Sequence, residues 1–256
     1  MSTPRKITVD CVAETIERFR DRRPHIHCIT NAVAQHFTAN CILAAGGTPS
    51  MTIAPSEIED FVTMSDALLV NLGTMDDERI ASARKAVSVA AAQNKAWALD
   101  PVFAQSSALR LKTAKVMLGQ SPTLVRCNRP EAAALFDQNV DEVTLCGLAA
   151  NHETIIALTG ARDVVADDQN LVSQTHGHVL MDRVTAMGCA LTALMAGFAA
   201  VEDDRIRAAF SAICLFGLAG ERAAKSSRGP GSFAVNFLDE LGMVDATVIK
   251  SELELA

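Results

Sequence analysis

Short apolar runs alternate with segments of helical periodicity along the first half of the chain. The runs that predict strands are HIHCIT (25–30), PSMTI (49–53), ALLVN (67–71), AWALD (96–100) and TLVRC (123–127). The segments that predict helices are 32–45, 57–65, 78–93, 107–118 and 130–136. Strands that are apolar along their whole length are typical of a parallel sheet covered by helices on both faces. The pattern therefore predicts an α/β layered fold with a central, mainly parallel sheet.

The second half of the chain does not continue this alternation of strand and helix patterns. After TIIALTG (154–160), the stretch DVVADDQNLVSQTHGHVLM (163–181) has short apolar runs broken at 168–170 and at Gly177, which predicts a hairpin. Helices are predicted over 205–225 and in GPGSFAVNFLDEL (229–241), where Pro230 suits a first helical turn. Two other local signals are a capping box at Ser56-x-x-Glu59 and a helix stop at 46–47. With no repeat, linker or composition break, residues 1–256 are interpreted as one domain.

Composition and charge exclude several classes of protein. Hydrophobic residues make up 49% of the 256-residue chain and charged residues 21%, which is ordinary for a globular protein and excludes disorder. The net charge is -7 and the basic residues are scattered, so we expect no nucleic-acid partner. The apolar run 190–201 is shorter than the roughly 18 to 20 residues of a membrane span, and the N-terminus has no apolar signal-peptide core. We therefore expect no membrane partner and a cytoplasmic location.

The cysteines and histidines give only weak signals of chemistry. The seven cysteines are Cys11, Cys28, Cys41, Cys127, Cys146, Cys189 and Cys214. They are widely spaced and contain no C-x-x-C, so most are expected to be reduced, buried, small apolar residues. The pairs His25/His27 and His176/His178 have i, i+2 spacing, which on a strand places both rings on one face. Because neither pair has a third ligand nearby in sequence, metal binding is the minor interpretation, and polar strand-end residues are the major one.

Polar residues follow several predicted strands, at the edge where open α/β sheets bind ligands. They are Thr30-Asn31, Asn71 with Gly73-Thr74, Asp100-Pro101, and Arg126 with Asn128 and Glu131. Carboxylates such as Asp100 and Glu131 at one rim would hold Mg²⁺ directly or through water. The permanently charged guanidinium of Arg126 suits a phosphate. The competing interpretation is that Asn71, Asn128 and Asp100 only cap helices.

The stretch VTAMGCALTALMAGFAA (184–200) places Cys189 after a turn of small residues, at the start of an apolar helix. Free N–H groups and the positive end of the helix dipole at 185–189 would bind an anion or a developing negative charge. That field favours a thiolate, so we expect a lowered pKa for Cys189 and a role as a base. The competing interpretation is a small residue packed where the helix meets the sheet.

Taken together, these segments resemble the hydroxyethylthiazole kinases, thiamine-salvage enzymes with the ribokinase-like fold. The matching pieces, between residues 27 and 241, are HCITNAVAQHFTANCILAAGGTPSMT, LLVNLGTM, ALDPV, VRCNRPEAAAL, TGARDVV, GHVLMDRVTAMGCALTALMAGF and GPGSFAVNFLDEL. The resemblance implies transfer of the γ-phosphoryl group of ATP, with Mg²⁺, to the primary alcohol of 4-methyl-5-(2-hydroxyethyl)thiazole. It also implies a homotrimer whose substrate sites lie between subunits.

The resemblance also implies roles for individual residues of this sequence. The implied substrate-side residues are Met51, which would contact the thiazole, with Asn31, Val33 and Ala186. The implied ATP-binding residues are Arg126, Asn128, Thr159 and Gly188. Asp100 and Glu131 resemble the metal and phosphate group, and residues 186–189 resemble the anion hole. Cys189 occupies the place where most ribokinase-like enzymes carry an aspartate base.

Three positions depart from the family pattern. Ala186 stands where the family has a glycine before the Met-Gly-Cys step. The segment FAQSSALR follows DPV in place of a glycine-rich stretch, and Gln35-His36 stand near where an asparagine is common. Of these, Ala186 adds a Cβ where the backbone must approach a ligand closely, which predicts a shifted substrate fit.

Four other functions compete with this one. HCITN and Met51 argue against a kinase for another alcohol such as hydroxymethylpyrimidine. The joint presence of Asp100, Glu131, Arg126 and Cys189 argues against a non-catalytic binding protein. No His/Asn partner pattern supports a hydrolase with Cys189 as nucleophile, and no G-x-G-x-x-G after the early strands supports a dinucleotide-dependent oxidoreductase.

Overall fold

The computed structural model describes residues 7–255, which form one eight-stranded sheet flanked by helices. The strands are β1 (His25–Ile29), β2 (Thr48–Ser50), β3 (Ala67–Asn71), β4 (Ala96–Asp100), β5 (Leu124–Asn128), β6 (Ile155–Thr159), β7 (Asp163–Ala166) and β8 (Leu171–Gln174). They lie in the order β2-β1-β3-β4-β5-β6-β7-β8. Pairing is parallel from β2 to β6, and β7 and β8 add an antiparallel edge.

Helices cover both faces of this sheet. They are α1 (Val9–Arg22), α2 (Gln35–Ala45), α3 (Ile58–Met64), α4 (Asp77–Ala92), α5 (Ala108–Leu118), α6 (Arg129–Phe136), α7 (Glu142–His152), α8 (Met187–Ala199), α9 (Arg205–Ser226), α10 (Pro230–Met243) and α11 (Ala246–Glu252). Buried residues of α1, α2 and α8–α11 form one apolar cluster, and those of α3–α7 form a second. Strand residues alternate between the two clusters: Ala98 belongs to the first, Trp97 and Leu99 to the second. The predicted α/β layered fold with a central, mainly parallel sheet is confirmed.

Several local predictions are confirmed as well. The predicted runs 67–71 and 96–100 coincide with β3 and β4, and 163–174 forms the β7-β8 hairpin. α2 ends at Gly46, whose φ of 104° is left-handed, and Pro230 opens α10. None of the helices in the described part of the chain has the length and apolarity needed to cross a membrane. The predicted absence of a signal peptide concerns in part residues 1–6, which lie outside the described residues.

Other local predictions are wrong. The capping box at Ser56-x-x-Glu59 does not form, because α3 starts at Ile58 after a turn that closes from the Glu57 N–H to the Ala54 carbonyl. Glu57, not Ser56, is the N-cap of α3, and its carboxylate makes no cap but accepts the Thr52 hydroxyl at 2.7 Å. The helix predicted from residue 32 starts at Gln35, and α1, α7 and α11 were not predicted. Boundaries shift where a side chain or a turn competes locally with the helix for backbone hydrogen bonds.

Candidate active site

The carboxyl ends of the parallel strands meet at one edge of the sheet and carry polar residues. Asn71 at the end of β3 lies beside Asp100 at the end of β4 in the strand register. Asn128 lies beside Thr159 in the same way across β5 and β6. Asn31 follows β1 at the same edge. The parallel topology therefore brings together residues that are up to 128 positions apart in the sequence.

A hydrogen-bond chain joins α8 to the ends of β3 and β4. The Asn31 Nδ2 donates to the Cys189 Sγ at 3.5 Å and to the Asn71 Oδ1 at 3.0 Å. The Asn71 Nδ2 donates to the Asp100 Oδ2 at 2.8 Å, and the Thr192 Oγ1 donates to the same oxygen at 3.1 Å. An ionised carboxylate can only accept hydrogen bonds, so the Asp100 carboxylate fixes which group donates in each hydrogen bond of this chain. The Cys189 sulfur and the Asp100 carboxylate are therefore held by one connected set of side chains.

Asn31 and Asn71 also stabilise the turns that follow their strands. The Asn31 Oδ1 accepts the N–H groups of Val33 and Ala34 at 3.1 and 3.0 Å. The Asn71 Oδ1 accepts the Gly73 N–H at 3.0 Å. Such side-chain turns explain why asparagine suits both positions. Asn31 and Asn71 therefore both cap the local turns and take part in the hydrogen-bond chain.

Asp100 is completely buried and keeps one free oxygen. Burial raises the pKa of its carboxyl to about 6, Arg126 lowers this pKa, and Glu131 raises it. Its Oδ1 has no hydrogen-bond partner among residues 7–255, although the atom is buried. A buried carboxylate oxygen without a partner is costly unless a cation or a donor compensates it. Mg²⁺ is typically held by one or two carboxylates plus substrate phosphates, so Asp100 fits such an ion.

Glu131 makes different contacts from those its predicted metal role suggests. Its Oε1 accepts the Phe103 N–H at 3.0 Å, and its Oε2 accepts the Asn128 N–H at 3.0 Å. The Asn128 side chain accepts the Glu131 N–H at 2.9 Å, which completes a capping box at the start of α6. Both carboxylate oxygens of Glu131 therefore already bind the backbone. A metal role for Glu131 stays a prediction, and its charge acts on the Asp100 pKa.

The four residues assigned to ATP by the resemblance line one cleft of about 520 Å³. These four are Arg126, Asn128, Thr159 and Gly188. Residues 175–179, which follow β8, also line this cleft. An ideal Cβ on Gly188 would lie 2.4 Å from the Arg126 Nη1, so the guanidinium occupies the space that a side chain would need. The Arg126 Nε is buried without a hydrogen-bond partner in the described structure, which leaves donor capacity for an anionic ligand.

The start of α8 has the geometry of an anion site. Ala186 precedes the helix in a left-handed conformation, with φ 72° and ψ 2°, and makes no side-chain cap. The first helical hydrogen bond runs from the Ala190 N–H to the Ala186 carbonyl. The N–H groups of residues 187–189 consequently have no acceptor within the helix. A left-handed residue followed by helical ones forms a concave group of N–H donors that suits an anion.

The predicted lowering of the Cys189 pKa is wrong. Burial raises the pKa of this thiol to about 12, and the nearby Asp100 raises it too. Hydrogen bonds from Asn71 and Asn31 lower the pKa, but by less. Desolvation of the charged form therefore outweighs the groups that favour the thiolate. At neutral pH the thiol is therefore protonated.

Two of the departures from the family pattern lie on left-handed backbone. Ala186 has φ 72°, and Phe103, the first residue after DPV, has φ 54°. A residue with a Cβ loses roughly 1–2 kcal/mol in this conformation relative to its usual one. The chain keeps a backbone that glycine adopts freely, and at Phe103 the N–H bound by Glu131 helps to hold it.

Met51 and Val33 are separate from the cleft lined by Arg126. Val33 is 61% exposed in the turn before α2. Met51 directly follows β2, is partly buried, and packs against the apolar cluster that includes α2 and α8. Asn31, which the resemblance also assigns to the substrate side, lies two residues before Val33 and donates to the Cys189 sulfur. The proposed substrate side is thus joined to the hydrogen-bond chain through Asn31.

The histidine pairs bind neighbouring protein groups. His25 and His27 lie on one face of β1, and the Nε2 of His25 and the Nδ1 of His27 are each 2.8 Å from the Ser50 Oγ. His176 follows β8 and lies 3.0 Å from the Glu221 carboxylate. Within residues 7–255, no group of three or more His, Cys, Asp or Glu side chains could hold a metal ion.

Sequence reasoning missed two residues of the site. Thr192 lies three positions after Cys189, so the i, i+3 spacing on a predicted helix could have revealed it. Asp163 at the start of β7 lines the cleft, and it accepts the Gly160 N–H at 3.0 Å and the Gln174 side chain at 2.6 Å. Burial raises its pKa. A lone aspartate at the start of a short strand has no distinctive sequence signal.

Comparisons with known sequences match most of the chain to one family. The model of the hydroxyethylthiazole kinase family matches residues 16–247. A protein from Agrobacterium fabrum, described as a probable hydroxyethylthiazole kinase, is 43% identical over 232 residues, which cover 91% of this chain and 89% of the relative.

Solved structures agree with the fold. A hydroxyethylthiazole kinase protein from Pyrococcus horikoshii superposes with a TM-score of 0.92 at 33% identity, over 96% of this chain and 98% of that one. A ribokinase-like superfamily protein from Enterococcus faecalis, at 14% identity, has a TM-score of 0.68 over 94% of this chain and 96% of that one. The second likeness concerns the fold alone. The chain therefore belongs to the hydroxyethylthiazole kinase family and is a kinase with the ribokinase-like fold.

Proposed function

We propose that the chain transfers the γ-phosphoryl group of ATP to the primary alcohol of 4-methyl-5-(2-hydroxyethyl)thiazole, in thiamine salvage. The observation that carries this proposal is the family match over residues 16–247. The hydrogen-bond chain from Cys189 to Asp100 and the cleft beside Arg126 support it, because they supply separate places for an alcohol and a nucleotide. Residues 1–256 would act as one kinase domain.

The cleft residues divide the nucleotide contacts among them. The Arg126 fork would bind phosphate oxygens beside Gly188, where the backbone permits close approach. Asn128 and Thr159, at adjacent strand ends, would contact the rest of the nucleotide from the same wall. Positioning and charge neutralisation account for most of the catalysis in phosphoryl transfer, so these contacts matter for rate as well as affinity.

Asp100 would hold Mg²⁺ through its free Oδ1, with Glu131 acting through water or through its charge. When bound, the ion neutralises charge on the phosphates. Asn71 and Thr192 both donate to the Asp100 Oδ2, which keeps the other oxygen turned away from them. The protein thus presents one oriented, buried carboxylate oxygen to the site.

Cys189 would orient the alcohol. Its pKa of about 12 leaves the thiol protonated, so the sulfur serves as a hydrogen-bond partner of the substrate hydroxyl. A loose phosphoryl-transfer transition state needs little ionisation of the nucleophile in advance, so a weak partner suffices. The N–H groups of residues 187–189 would stabilise charge on the transferred group. Ala186 sets their direction through its left-handed backbone.

We also propose a cytoplasmic homotrimer with substrate sites between subunits. Met51 and Val33, the substrate-side residues, lie outside the nucleotide cleft, and Val33 is largely exposed. Leu43 on α2 and Met243 at the end of α10 are exposed apolar residues on two helices that pack together. A second subunit against this side would cover them. Light scattering of the purified protein tests the trimer.

The test of the reaction is ADP release by the purified protein with ATP, Mg²⁺ and hydroxyethylthiazole. Hydroxymethylpyrimidine and an alcohol-free mixture are run beside it. We expect ADP only with the thiazole alcohol. ADP with hydroxymethylpyrimidine alone would assign the chain to the competing alcohol, and no ADP from a folded protein that binds ATP would refute the proposal.

The role of Cys189 is tested in the same assay. Cys189→Ala should lower turnover and leave ATP binding intact, because the sulfur contacts the alcohol side and not the nucleotide cleft. The matched control is Cys146→Ala on α7, whose half-buried thiol lies near the Asn170 carbonyl, away from the site. Unchanged turnover in Cys189→Ala would remove the thiol from the mechanism.

A further inference from the structure

His27 is a completely buried histidine for which the proposed reaction has no use. Its Nδ1 lies 2.8 Å from the Oγ of Ser50, its register partner on β2. Its ring packs on Phe61 of α3, with 5.7 Å between the ring centroids. Burial lowers the pKa of this imidazole to about 4, and the Thr52 backbone opposes that shift. The ring is therefore neutral at physiological pH and faces the residues on either side of Met51.

The segment that carries Met51 has little backbone support. β2 is three residues long and forms the edge of the sheet, so β1 alone pairs with it. The pair formed by His27 and Ser50 is the last in the register, and Met51 is the next residue. Further along, the Ser82 hydroxyl donates to the Ile53 carbonyl at 2.6 Å. Between these two points, side chains rather than strand pairing determine the path of the chain.

Ser50 is held by two rings at once. Its Oγ lies 2.8 Å from the His25 Nε2 as well as from the His27 Nδ1. A hydroxyl has one proton, so Ser50 donates to one ring and accepts from the other. Two hydrogen bonds in different directions leave the hydroxyl no rotational freedom. The residue immediately before Met51 is thus fixed by a buried side chain and a half-buried one.

We propose that His27 is a positioning residue: through Ser50 it fixes Met51, and so sets the affinity of the site for the thiazole ring. The inference rests on the proposed function, in which Met51 contacts the thiazole. His27 itself does not touch the substrate in this assignment. The pair His25/His27 is then part of the framework of the substrate site, which explains both histidines without a metal.

Kinetics with Ser50→Ala provide the first test. We expect the KM for hydroxyethylthiazole to rise roughly threefold to tenfold, the effect of losing one hydrogen bond. The KM for ATP and kcat should change little, because neither ring lines the nucleotide cleft. Ser65→Ala is the matched control, since Ser65 is buried and donates to the Val62 carbonyl at 2.9 Å outside this segment. It should leave both KM values unchanged.

Substitutions of His27 separate hydrogen bonding from packing. His27→Leu fills a similar volume without a polar atom, and His27→Asn places an amide near the position of Nδ1. We expect His27→Asn to restore part of the thiazole affinity that His27→Leu loses. An unchanged thiazole KM in Ser50→Ala, or an equal rise in the KM values for both substrates, would overturn the inference.

A second readout does not depend on activity. In protein labelled with ¹³C at the methionine methyl groups, the Met51 signal is identified by its loss in Met51→Leu. Ser50→Ala should shift or broaden that signal and leave those of distant methionines such as Met117 in place. An unmoved Met51 signal would refute the positioning role even if the wild-type protein proved inactive toward the thiazole. An inactive wild type with a moved signal would instead refute the proposed function alone.

Discussion

Replacing Gly188 with alanine should weaken ATP binding by displacing Arg126. An ideal Cβ at this position would lie 2.4 Å from Nη1, 2.7 Å from Cζ and 2.8 Å from Nη2 of Arg126, whereas ordinary contact begins at 3.4 Å. The guanidinium must therefore move by roughly 1 Å. A hydrogen bond to a charged group contributes roughly 1.5–3 kcal/mol. Losing one such bond to phosphate should raise the KM for ATP roughly 10- to 100-fold.

The assay is steady-state ADP release against ATP concentration, at saturating alcohol, for Gly188→Ala, Arg126→Ala and the double variant. If the clash acts through Arg126, Gly188→Ala has no further effect once Arg126 is alanine. The matched control is Gly147→Ala on α7, where no atom lies within 4 Å of the added Cβ. An equal loss of ATP affinity with and without Arg126 would refute this reasoning.

Three further predictions concern Ala186, Asp100 and Asn71. Ala186→Gly should raise the free energy of unfolding by up to about 1 kcal/mol, because relief of the left-handed backbone exceeds the added chain entropy; a lower denaturation midpoint would contradict this. The pKa of Asp100 is raised from 3.8 in the unfolded chain to about 6 in the folded protein. The free energy of unfolding of the wild type should therefore fall as the pH rises from about 4 to 7, because the buried carboxyl ionises there. Asp100→Asn has no such loss, so its free energy of unfolding relative to the wild type should rise by roughly 3 kcal/mol between pH 4 and pH 7, and a pH-independent difference would contradict this. Asn71→Leu breaks the hydrogen-bond chain between Asn31 and Asp100, so kcat for ADP release should fall roughly tenfold with the KM for ATP unchanged. A wild-type kcat in this variant would show that these hydrogen bonds do not contribute to the rate.

The bounds of β3, β4 and α2 show which parts of the fold could be predicted from the sequence. β3 and β4 were predicted to the residue, because fully apolar runs bounded by polar residues have few alternatives in a parallel sheet. Residues 32–34 were wrongly placed in a helix, since the Asn31 side chain binds the N–H groups of Val33 and Ala34 and delays α2. A single side chain thus outweighs helical periodicity at a boundary.

In the candidate site, likewise, the sequence predicted the residues but not the contacts between them. Asn31, Asp100, Arg126 and their neighbours were singled out because each follows a strand, and parallel strands end at one edge. The sequence did not reveal that Asn71 connects Asn31 to Asp100, because hydrogen-bond partners depend on distances across the sheet. Nor did it reveal that Glu131 binds the Phe103 backbone.

The sequence by itself determined the layered architecture, the edge where polar groups collect and the family, because these follow from local periodicity and from motifs in fixed order. Tertiary structure decided the chemistry of individual groups. Cys189 stands at a helix start, which favours a lowered pKa, yet burial beside Asp100 raises its pKa to about 12. Desolvation depends on every element packed around a group, and no window of sequence contains that information.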